Sequence, residues 1–500
     1  MAPPRDEDDA VSVSSGKRLV HTSDKEFQSL AISEPSKRAL AEVFKYQFMT
    51  VVQAETLPVI LAGRDCLAKA KTGTGKTLAF LIPAIEKLPG WRASETQRHI
   101  PILVLSPNRE LAAQIGAEAE QLLRFHPNKR VVCVVGGTNI NTEKNSLDRG
   151  NVAVLVATPG RLIDHFESTR GFQQSLSGIS TFVLDEADQL LDMGFKPALD
   201  RILGFLPPSS LRQTLLFSAT VPPAVKQIAD VFLRRGYSYV DTVGEEAEQT
   251  HLHVQQHLTS VSMDDMNAAL LSMLSQQLLT PNLKFIVFFT TARMAGFEAD
   301  LFETLRLPVL QIHSRMSQNA RTRTSDQFRT GTNLILFSSD VSARGLDYPD
   351  VTYVLQVGFT EKSQYIHRLG RTARAGREGS GMLLLHDFEE NAMRRELSGL
   401  PLEKIDASAL QMDACRARVS AALGEVGRNA DLRTAAEQSY QAWLGYYNGK
   451  LRVLNWSKDT LVDRANYYSR TLGLSQIPAL QKKTVGKMGL KGVAGLRIVG

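Results

Sequence analysis

The 500-residue sequence lacks several features that define membrane and secreted proteins. No apolar run approaches the roughly 20 residues that a membrane-spanning helix needs, so a membrane is not expected among its partners. It has only three cysteines, Cys66, Cys133 and Cys415, and they lie far apart. Their spacing provides neither a metal-binding cluster nor a disulfide framework, which indicates a reducing compartment.

The N-terminal residues 1–23 also lack an apolar stretch of the kind found in secretory signals. An acidic cluster at residues 6–9 argues against an organelle transit peptide that starts at Met1. The segment is rich in Pro, Ser and charged residues, and we predict that it is disordered. The remaining composition, 43% hydrophobic and 22% charged, is typical of a globular protein.

Short apolar runs alternate with longer amphipathic stretches from about residue 24, a pattern that predicts a parallel sheet with crossover helices. We predict strands first at Ile102–Leu105, Val131–Val135, Val152–Val156, Phe182–Leu184 and Thr214–Phe217. After a polar segment the alternation restarts, with strands at Phe285–Phe289, Val309–Ile312, Leu334–Phe337, Tyr353–Val357 and Met382–Leu385. The fold class is therefore α/β, with two parallel-sheet units in tandem. Strand patterns end at about Asp387, and the chain then reads as helical.

Because 500 residues exceed what one core usually holds, two or three domains are expected. The patterns along the chain divide it into six segments. The predicted bounds are a disordered N-terminus at 1–23, a first α/β domain at 24–242, a linker at 243–252, a second α/β domain at 253–394, a helical extension at 395–478 and a basic tail at 479–500.

A phosphate-binding loop is predicted where a short apolar run meets a helix, in the stretch Ala70-Lys71-Thr72-Gly73-Thr74-Gly75-Lys76-Thr77. Its glycines allow backbone N–H groups to turn inward, and the following helix contributes its positive N-terminus. Lys76 would reach the β- and γ-phosphates, and the Thr77 hydroxyl would hold Mg²⁺. The alternative is an ordinary surface loop rich in Gly, Thr and Lys.

An acidic tetrad, Asp185-Glu186-Ala187-Asp188, follows the predicted strand at Phe182–Leu184. Parallel sheets place their ligand sites at this end of a strand. Asp185 is suited to complete the shell of a Mg²⁺ ion, and Glu186 to orient or deprotonate an attacking water. The alternative is a helix N-terminus whose acidic residues match the helix dipole.

Together the phosphate loop and the tetrad resemble the signature of the DEAD-box ATP-dependent RNA helicases. Further motifs of that family occur in its order from Phe27 to Gly376, about three quarters of the chain. The resemblance implies two tandem RecA-like domains and two cofactors, ATP and Mg²⁺. It implies that the nucleotide is bound by Phe27, Tyr46, Gln53, Thr72, Gly73, Thr74, Gly75, Lys76, Thr77 and Asp347.

The same resemblance implies catalytic residues and an RNA-binding set. The catalytic residues are Lys76, Glu186, His367, Arg371 and Arg374, the last two as arginine fingers at the γ-phosphate. A solvated helix face is the alternative for these arginines. RNA would be bound by Arg109, Gly137, Thr158, Arg161, Arg321 and Ser339. The sequence departs from the family pattern at Lys45, Met49, Val51, Ala70, Asn108 and Ser314.

The implied function is an ATP-dependent RNA helicase or RNA chaperone that remodels structured RNA without sequence preference. An ATP-dependent RNA clamp that does not unwind is the first alternative, and a DNA translocase with the same core is the second. RNA is the expected partner, gripped through phosphates and 2′-hydroxyls.

The C-terminal region, including residues 442–447 and 486–493, resembles the branch of the family that contains mitochondrial intron-splicing proteins and their plant relatives. This branch suggests residence in a mitochondrion or chloroplast, provided that Met1 is not the native start. The cytoplasm or nucleus is the alternative.

The extension is also predicted to be a second RNA-binding surface. Residues 464–500 contain seven basic and no acidic side chains, and two tryptophans and five tyrosines lie between residues 440 and 468. Basic residues beside aromatics suit phosphate contact and base stacking. The alternative assigns the aromatics to the core of a helical cap.

Overall fold

The computed structural model describes residues 22–88, 99–243, 254–278, 283–340, 348–373 and 379–499. The chain divides into two compact units, Met1–Thr242 and Val243–Gly500, and each contains one seven-stranded sheet. In the described ranges, no helix combines the length and the apolar character needed to cross a membrane.

The first unit contains a two-stranded antiparallel pair and a parallel sheet in the order β5-β6-β4-β7-β8-β3-β9. Its strands are β1 (Thr22–Glu26), β2 (Phe48–Thr50), β3 (Cys66–Lys69), β4 (Ile102–Leu105), β5 (Arg130–Val134), β6 (Val152–Ala157), β7 (Thr181–Leu184), β8 (Gln213–Ser218) and β9 (Ser238–Asp241). Because the central strands are buried on both faces, they read as continuous apolar runs in the sequence.

Helices cover both faces of this sheet and form two apolar cores. They are α1 (Glu34–Arg38), α2 (Val51–Leu61), α3 (Lys76–Ile85), α4 (Arg109–Leu122), α5 (Ile140–Asp148), α6 (Pro159–Ser168), α7 (Phe172–Ser175), α8 (Ala187–Asp192), α9 (Lys196–Phe205) and α10 (Pro223–Phe232). A π-helix spans Ala39–Phe44, and 3₁₀ turns span Phe27–Ser29, Leu123–Phe125 and Ser209–Leu211.

The second unit contains a seven-stranded parallel sheet. Its strands are β10 (Gln255–Val261), β11 (Lys284–Phe289), β12 (Val309–Ile312), β13 (Leu334–Ser338), β14 (Tyr353–Val357), β15 (Ser380–His386) and β16 (Leu402–Lys404). Their order in the sheet is β12-β13-β11-β14-β15-β10-β16. The described helices that lie between these strands in the chain are α11 (Met266–Gln277), α12 (Ala292–Thr304), α13 (Gln318–Thr330), α14 (Lys362–Leu369) and α15 (Glu390–Glu396).

The C-terminal extension belongs to the second unit and shares its largest apolar core. Its elements are α16 (Asp413–Gly424), α17 (Ala430–Asn448), α18 (Leu451–Leu454), α19 (Lys458–Thr471), β17 (Leu480–Gln481), α20 (Lys482–Lys487) and β18 (Ile498–Val499). In the described part of the unit, 3₁₀ turns include Asp387–Glu389 and Ala407–Ala409.

The predicted fold class is confirmed, and all ten predicted strands are present with ends shifted by at most two residues. Within the two seven-stranded sheets, β9, β10 and β16 were not predicted, because they are short or carry polar residues on both faces. The short strands β1, β2, β17 and β18 outside these sheets were not predicted either. The expectation that strands end at about Asp387 is wrong, since β16 adds an edge strand to the second sheet. Disorder is also wrong for Thr22 and Ser23, which begin β1; residues 1–21 lie outside the described ranges.

The aromatic cluster of the extension is part of the core. Trp443, Tyr440 and Tyr447 are fully buried, and Trp443 stacks on Tyr468 with ring centroids 5.2 Å apart. Base stacking by these side chains is therefore excluded in this fold. The predicted basic tail is folded as well, because Leu480, Val485 and Leu490 are buried in the same core.

Candidate functional site

The carboxyl edge of the first sheet collects most of the predicted site residues of this unit. Its strand order divides this edge into two halves, which carry different chemistry. The phosphate-loop half follows β7, β8 and β3 and carries Asp185, Ser218 and the loop 70–75. The Arg109 half follows β5, β6 and β4 and carries Gly137, Thr158 and Arg109. Parallel sheets bind ligands at this edge.

The phosphate loop is fastened to the preceding helix by Gln53. Its Nε2 donates to the Gly75 carbonyl at 3.0 Å, and its Oε1 accepts the Thr50 N–H at 2.8 Å in a capping box. Gly75 has φ +90°, and a Cβ atom there would lie 2.5 Å from the Gln53 amide nitrogen. A glycine is required at this position for both reasons.

Lys76 and Glu186 form a buried ion pair at the centre of this half. The Lys76 Nζ donates to Glu186 Oε1 at 2.7 Å, and the side chains are 6% and 2% exposed. Burial lowers the pKa of Lys76, but attraction to Glu186, Asp185 and Asp188 outweighs it and raises the pKa. Lys76 is therefore charged and is held by carboxylates at the place where a phosphate loop binds phosphate.

Glu186 is strained and incompletely bonded. Its backbone lies in the left-handed region with φ +50°, and its Oε2 is buried with no hydrogen-bond partner in the described part of the chain. A buried acceptor without a donor is costly, as is a left-handed non-glycine residue. Such features concentrate at functional sites, where a ligand or water supplies the missing contact.

The donor set of this half fits Mg²⁺. Burial raises the pKa of Asp185 above its ordinary value against the attraction of Lys76, so this carboxyl gains from a nearby cation. Asp185 and the Thr77 hydroxyl are the oxygen ligands that Mg²⁺ prefers. No group of three His, Cys, Asp or Glu side chains in the described ranges could hold a metal alone. Mg²⁺ usually binds through one or two carboxylates together with substrate phosphates, and Asp185 lies at the strand end beside the phosphate loop.

Asp188 joins three motifs of the phosphate-loop half. Its Oδ2 accepts from the N–H and the hydroxyl of Thr220 at 3.0 and 2.8 Å, and its N–H donates to Ser218 Oγ at 3.1 Å. The Ser218 carbonyl in turn accepts the Ala70 N–H at 2.9 Å. The acidic tetrad, the end of β8 and the phosphate loop are thereby one hydrogen-bonded unit.

In the Arg109 half, three predicted RNA-binding residues lie together. Gly137 has φ +80°, and a Cβ atom there would lie 2.2 Å from Arg109 Nη1, so only glycine admits the guanidinium. The Gly136 N–H donates to Thr158 Oγ1 at 3.3 Å. A guanidinium, a hydroxyl and a glycine backbone are groups that contact phosphates and carry no base-reading pattern.

Behind these residues, Glu143 is a fully bonded buried carboxylate. Its Oε2 accepts from Arg161 at 3.0 Å and from His165 at 2.8 Å, and its Oε1 accepts the Val135 N–H at 3.2 Å and the Thr138 hydroxyl. Burial acts to raise the pKa of Glu143, but these hydrogen bonds and the Arg161 charge outweigh it and lower the pKa.

Arg161 therefore has a structural role in this fold. It is 9% exposed and also donates to the Thr138 carbonyl at 2.9 Å, so two of its nitrogens are bonded within the protein. Its predicted contact with RNA stays a prediction.

The carboxyl edge of the second sheet is cationic. His313 follows β12 and Ser339 follows β13, and both are buried, as is Arg321 of α13. Burial, together with repulsion from Arg293, Arg321 and Arg315, lowers the pKa of His313 to about 4. His313 is therefore neutral, and the surrounding arginines make this edge suitable for phosphates.

Helix α14 carries His367 and leads directly to Arg371. Arg371 is 3% exposed, and its Nε donates to the His367 carbonyl at 3.4 Å. Arg368 binds Asp340 through Nε and Nη2 at 2.8 and 2.6 Å. The predicted residues Asp347 and Arg374 lie outside the described residues.

Two family models match the chain in the order of its two units. One, described as DEAD/DEAH box helicase, matches residues 50–228, and the other, helicase conserved C-terminal domain, matches residues 266–376. DEAD-box ATP-dependent RNA helicase 31 of Arabidopsis thaliana is 47% identical over 476 residues, which are 94% of this chain and 65% of that protein. Its namesake in Oryza sativa subsp. japonica is 47% identical over 457 residues, 90% of this chain and 82% of that protein.

The chain belongs to the DEAD-box ATP-dependent RNA helicase family. Among solved structures, DEAD-box helicase Mss116 bound to single-stranded RNA and UDP-BeF is similar with a TM-score of 0.79 and 27% identity, covering 93% of this chain and 95% of that one. S. cerevisiae Dbp5 bound to RNA and ADP BeF3 has a TM-score of 0.64 and 25% identity, covering 80% of this chain and 99% of that one. The RecA-like architecture is thereby confirmed.

Two aromatic residues of the DEAD-box pattern differ in their surroundings. Tyr46 is 40% exposed and stacks on Phe44 with ring centroids 5.8 Å apart, whereas Phe27 is 1% exposed and packs in the core of the first unit. Phe27 contributes to packing here, and the contact of either residue with adenine stays a prediction. The assignment to the intron-splicing branch and to an organelle likewise stays a prediction.

Sequence reasoning missed three residues of this DEAD-box protein that organise the site. Asp188 was within the predicted tetrad but had no role, Glu143 lies on an amphipathic helix like any surface glutamate, and Arg293 belongs to no motif. Only the role of Asp188 could have been predicted from the sequence, because a third carboxylate beside a phosphate loop needs a hydrogen-bond donor. The other two are recognisable only once the strand ends are brought together.

Proposed function

We propose that this DEAD-box protein is an ATP-dependent RNA helicase, which couples hydrolysis of ATP to ADP and phosphate to the local unwinding or remodelling of structured RNA. The observation that carries the proposal is the carboxyl edge of the first sheet. One half of it holds Lys76 and Glu186, and the other holds Arg109, Gly137 and Thr158. Residues for the nucleotide and for RNA therefore share one rigid sheet.

For the nucleotide, Lys76 would exchange the Glu186 carboxylate for the β- and γ-phosphates. This exchange keeps the ammonium paired and releases Glu186, whose second oxygen already has no donor, to orient the attacking water. Thr77 and Asp185 would hold Mg²⁺, which when bound neutralises charge that develops on the phosphates. Arg371 and Arg374 are proposed to stabilise that charge as arginine fingers.

For RNA, the polar groups at the carboxyl edges of the two sheets point to backbone recognition. Arg109, the Gly137 backbone and Thr158 on the first sheet, and Arg321 and Ser339 on the second, are suited to phosphate oxygens and 2′-hydroxyls. Such contacts carry no sequence information, so we propose that RNA is bound without sequence preference. The relatives named above are helicases of RNA by their names, which supports this partner.

A combined measurement of ATP hydrolysis and strand separation tests the proposal. The wild type is expected to hydrolyse ATP faster with RNA than without it, and to separate a short RNA duplex only with ATP. Lys76→Ala is expected to lose ATP binding, because it removes the side chain that would contact the β- and γ-phosphates. Lys87→Ala is the matched control, since this lysine lies just beyond the same helix and donates to Gln213.

Two outcomes would contradict the proposal in different ways. RNA-stimulated hydrolysis without strand separation would favour the ATP-dependent RNA clamp. Separation of DNA duplexes in preference to RNA duplexes would favour the DNA translocase.

A further inference from the structure

The C-terminal extension contacts the chain segment that leads into α14, the helix before Arg371. This lead-in segment, residues 358–361, connects β14 to α14. The end of α17 in the extension lies against it and provides Tyr446, Tyr447 and the following Lys450. All of these residues belong to the same compact unit.

Both backbone groups of Phe359 in the lead-in segment are bonded from outside the segment. Its carbonyl accepts from the Tyr446 hydroxyl at 2.8 Å, and its N–H donates to Glu389 Oε1 at 2.7 Å. Phe359 is 1% exposed, so neither bond competes with water. Buried hydrogen bonds of this kind fix a backbone position because leaving either group unpaired is costly.

Glu389 connects the lead-in segment to the extension through one oxygen. Its Oε1 also accepts the Tyr447 hydroxyl at 2.6 Å, while its Oε2 accepts the His386 N–H at 2.9 Å. The carboxyl is fully buried. Burial raises its pKa to about 7, against the opposing effect of the hydrogen bonds from Tyr447, His386 and Phe359. The Tyr447 hydroxyl is the only extension group of the described chain seen to bond this carboxyl.

A third contact joins Lys450 of the extension to Glu361, the last residue of the lead-in segment. Lys450 Nζ donates to Glu361 Oε1 at 2.8 Å, and Glu361 is the N-cap of α14. The same ammonium lies 5.2 Å from the centre of the Phe359 ring and 5.9 Å from that of Tyr446. Lys450 thereby links the extension to two residues of the lead-in segment, Phe359 and Glu361.

Helix α14 couples the position of its first residues to the positions of Arg368 and Arg371. It is short and regular, and Arg368 at its last turn is locked to Asp340 by two hydrogen bonds. The N–H of Arg371 donates to the Arg368 carbonyl at 3.0 Å. A helix of this length moves as a rigid rod, so a shift of the lead-in segment would displace Arg371 as well.

We propose that the C-terminal extension positions α14 for ATP hydrolysis, with Tyr446, Tyr447 and Lys450 acting through Phe359, Glu389 and Glu361. These are positioning residues, because they act through the lead-in segment on Arg371. The inference rests on the proposed function of Arg371. It makes the extension a part of the ATPase machinery in addition to any contact that it has with RNA.

Two tyrosines of α17 provide a matched pair of variants. Tyr447 and Tyr440 are both fully buried on this helix, and each donates one hydroxyl hydrogen bond. Tyr447 donates to Glu389, whereas Tyr440 donates to Asn466 within the extension at 3.0 Å. Phenylalanine in either place removes one hydroxyl and retains the ring. The two variants therefore lose the same kind of bond, but only one loses it at the lead-in segment.

The test is steady-state ATP hydrolysis by the full chain at saturating RNA, with thermal unfolding of each variant. Tyr447→Phe is expected to lower kcat about three- to tenfold at nearly unchanged KM for ATP, since misplacement of catalytic groups by fractions of an ångström has effects of this order. Tyr440→Phe is expected to retain the wild-type kcat. The effect is moderate because Glu396 also accepts the Lys362 N–H at the start of α14.

A charge exchange on the surface gives a second, independent measurement should Tyr447→Phe fail to fold. Lys450→Glu is expected to lower kcat about twofold by repelling Glu361, and Lys450→Glu with Glu361→Lys is expected to restore it. Restored kcat would support a positioning role, which a general loss of stability does not reproduce.

Equal kcat values in the wild type, Tyr447→Phe and Lys450→Glu, or an equal decrease in Tyr440→Phe, would overturn the inference while the proposed function stands. A wild-type chain whose ATP hydrolysis does not respond to RNA would overturn the proposed function, and the positioning role would fall with it.

Discussion

The two halves of the first sheet edge each contain one buried glutamate paired with a cation, yet the two glutamates differ in almost every other respect. Glu143 in the Arg109 half has both oxygens bonded, to the Arg161 guanidinium, the His165 ring, a hydroxyl and a backbone N–H. Glu186 in the phosphate-loop half leaves one buried oxygen without a partner and has a left-handed backbone. A saturated carboxylate stabilises the fold, whereas an unsaturated one is available for a ligand.

Backbone strain follows the same division. In the first unit, four described non-glycine residues have positive φ, and the two that are not asparagine are Lys45 and Glu186. Glu186 is a proposed catalytic residue, and Lys45 directly precedes Tyr46 of the predicted nucleotide-binding set. In the Arg109 half the left-handed position is occupied by Gly137, which bears no such cost. Strain is therefore concentrated where the proposed chemistry takes place.

The largest expected effect comes from Glu186→Gln. Replacing the carboxylate that orients water should lower RNA-stimulated turnover about 10²–10⁴-fold, while Lys76 and the loop still bind ATP. The free energy of unfolding should fall, because the variant breaks the buried pair with Lys76, but by less than in Glu143→Gln, because Asp185 and Asp188 still attract the Lys76 ammonium. Turnover, nucleotide affinity and chemical denaturation measure the three quantities. Full turnover in this variant would contradict the assignment of Glu186.

Glu143→Gln should have the opposite profile. Breaking a buried ion pair by removing one partner costs about 3–5 kcal/mol, so the free energy of unfolding should fall by this order. At temperatures where the variant is folded, kcat should stay within about twofold of the wild type. Glu167→Gln is the matched control, because Glu167 is 53% exposed and pairs with Arg201 on the surface. A loss of turnover in folded Glu143→Gln would erase the distinction between the two halves.

The pH dependence of the same variant sharpens this prediction. The pKa of Glu143 is lowered in the fold below its ordinary value of 4.5. Its contribution to stability is therefore fully present above pH 4.5 and is lost as the pH falls through the lowered pKa. The wild type should lose stability in this acidic range, and Glu143→Gln should lose less of it. Denaturation at pH 7 and at pH 3.5 would compare the two slopes.

The smallest expected effect concerns strain at Lys45. With φ +57°, this residue has the backbone of a glycine position, and Lys45→Gly should raise the free energy of unfolding by about 1 kcal/mol. Asn128 has the same φ but tolerates it, so Asn128→Gly should gain less. Chemical denaturation of both variants tests this difference. Equal increases in the free energy of unfolding would show that Lys45 is no more strained than Asn128.

The sequence predicted most of the fold because the central strands of a parallel sheet are continuously apolar. The predicted bounds of strands such as Ile102–Leu105 and Tyr353–Val357 match the structure at both ends. Edge strands such as β16 were not predicted, because they are half exposed and partly polar. The extension shows the limit of composition. Its aromatics and lysines predicted an RNA surface, but Trp443 and Tyr447 are core residues, and contact of the lysines with RNA stays a prediction.

The sequence by itself determined the family, the order of the motifs and the identity of Lys76, Asp185 and Glu186, because phosphate chemistry demands those residue types at fixed places next to a strand end. Tertiary structure alone decided which carboxylates are saturated, since the partners of Glu143 are up to 22 residues away and those of Glu186 are 110 and 114 residues away in the chain. It also decided that the extension bonds the segment before α14, through contacts that link residues 58 to 89 positions apart. Hydrogen bonds between such distant residues depend on how the strands are ordered in the sheet, and no local pattern encodes that order.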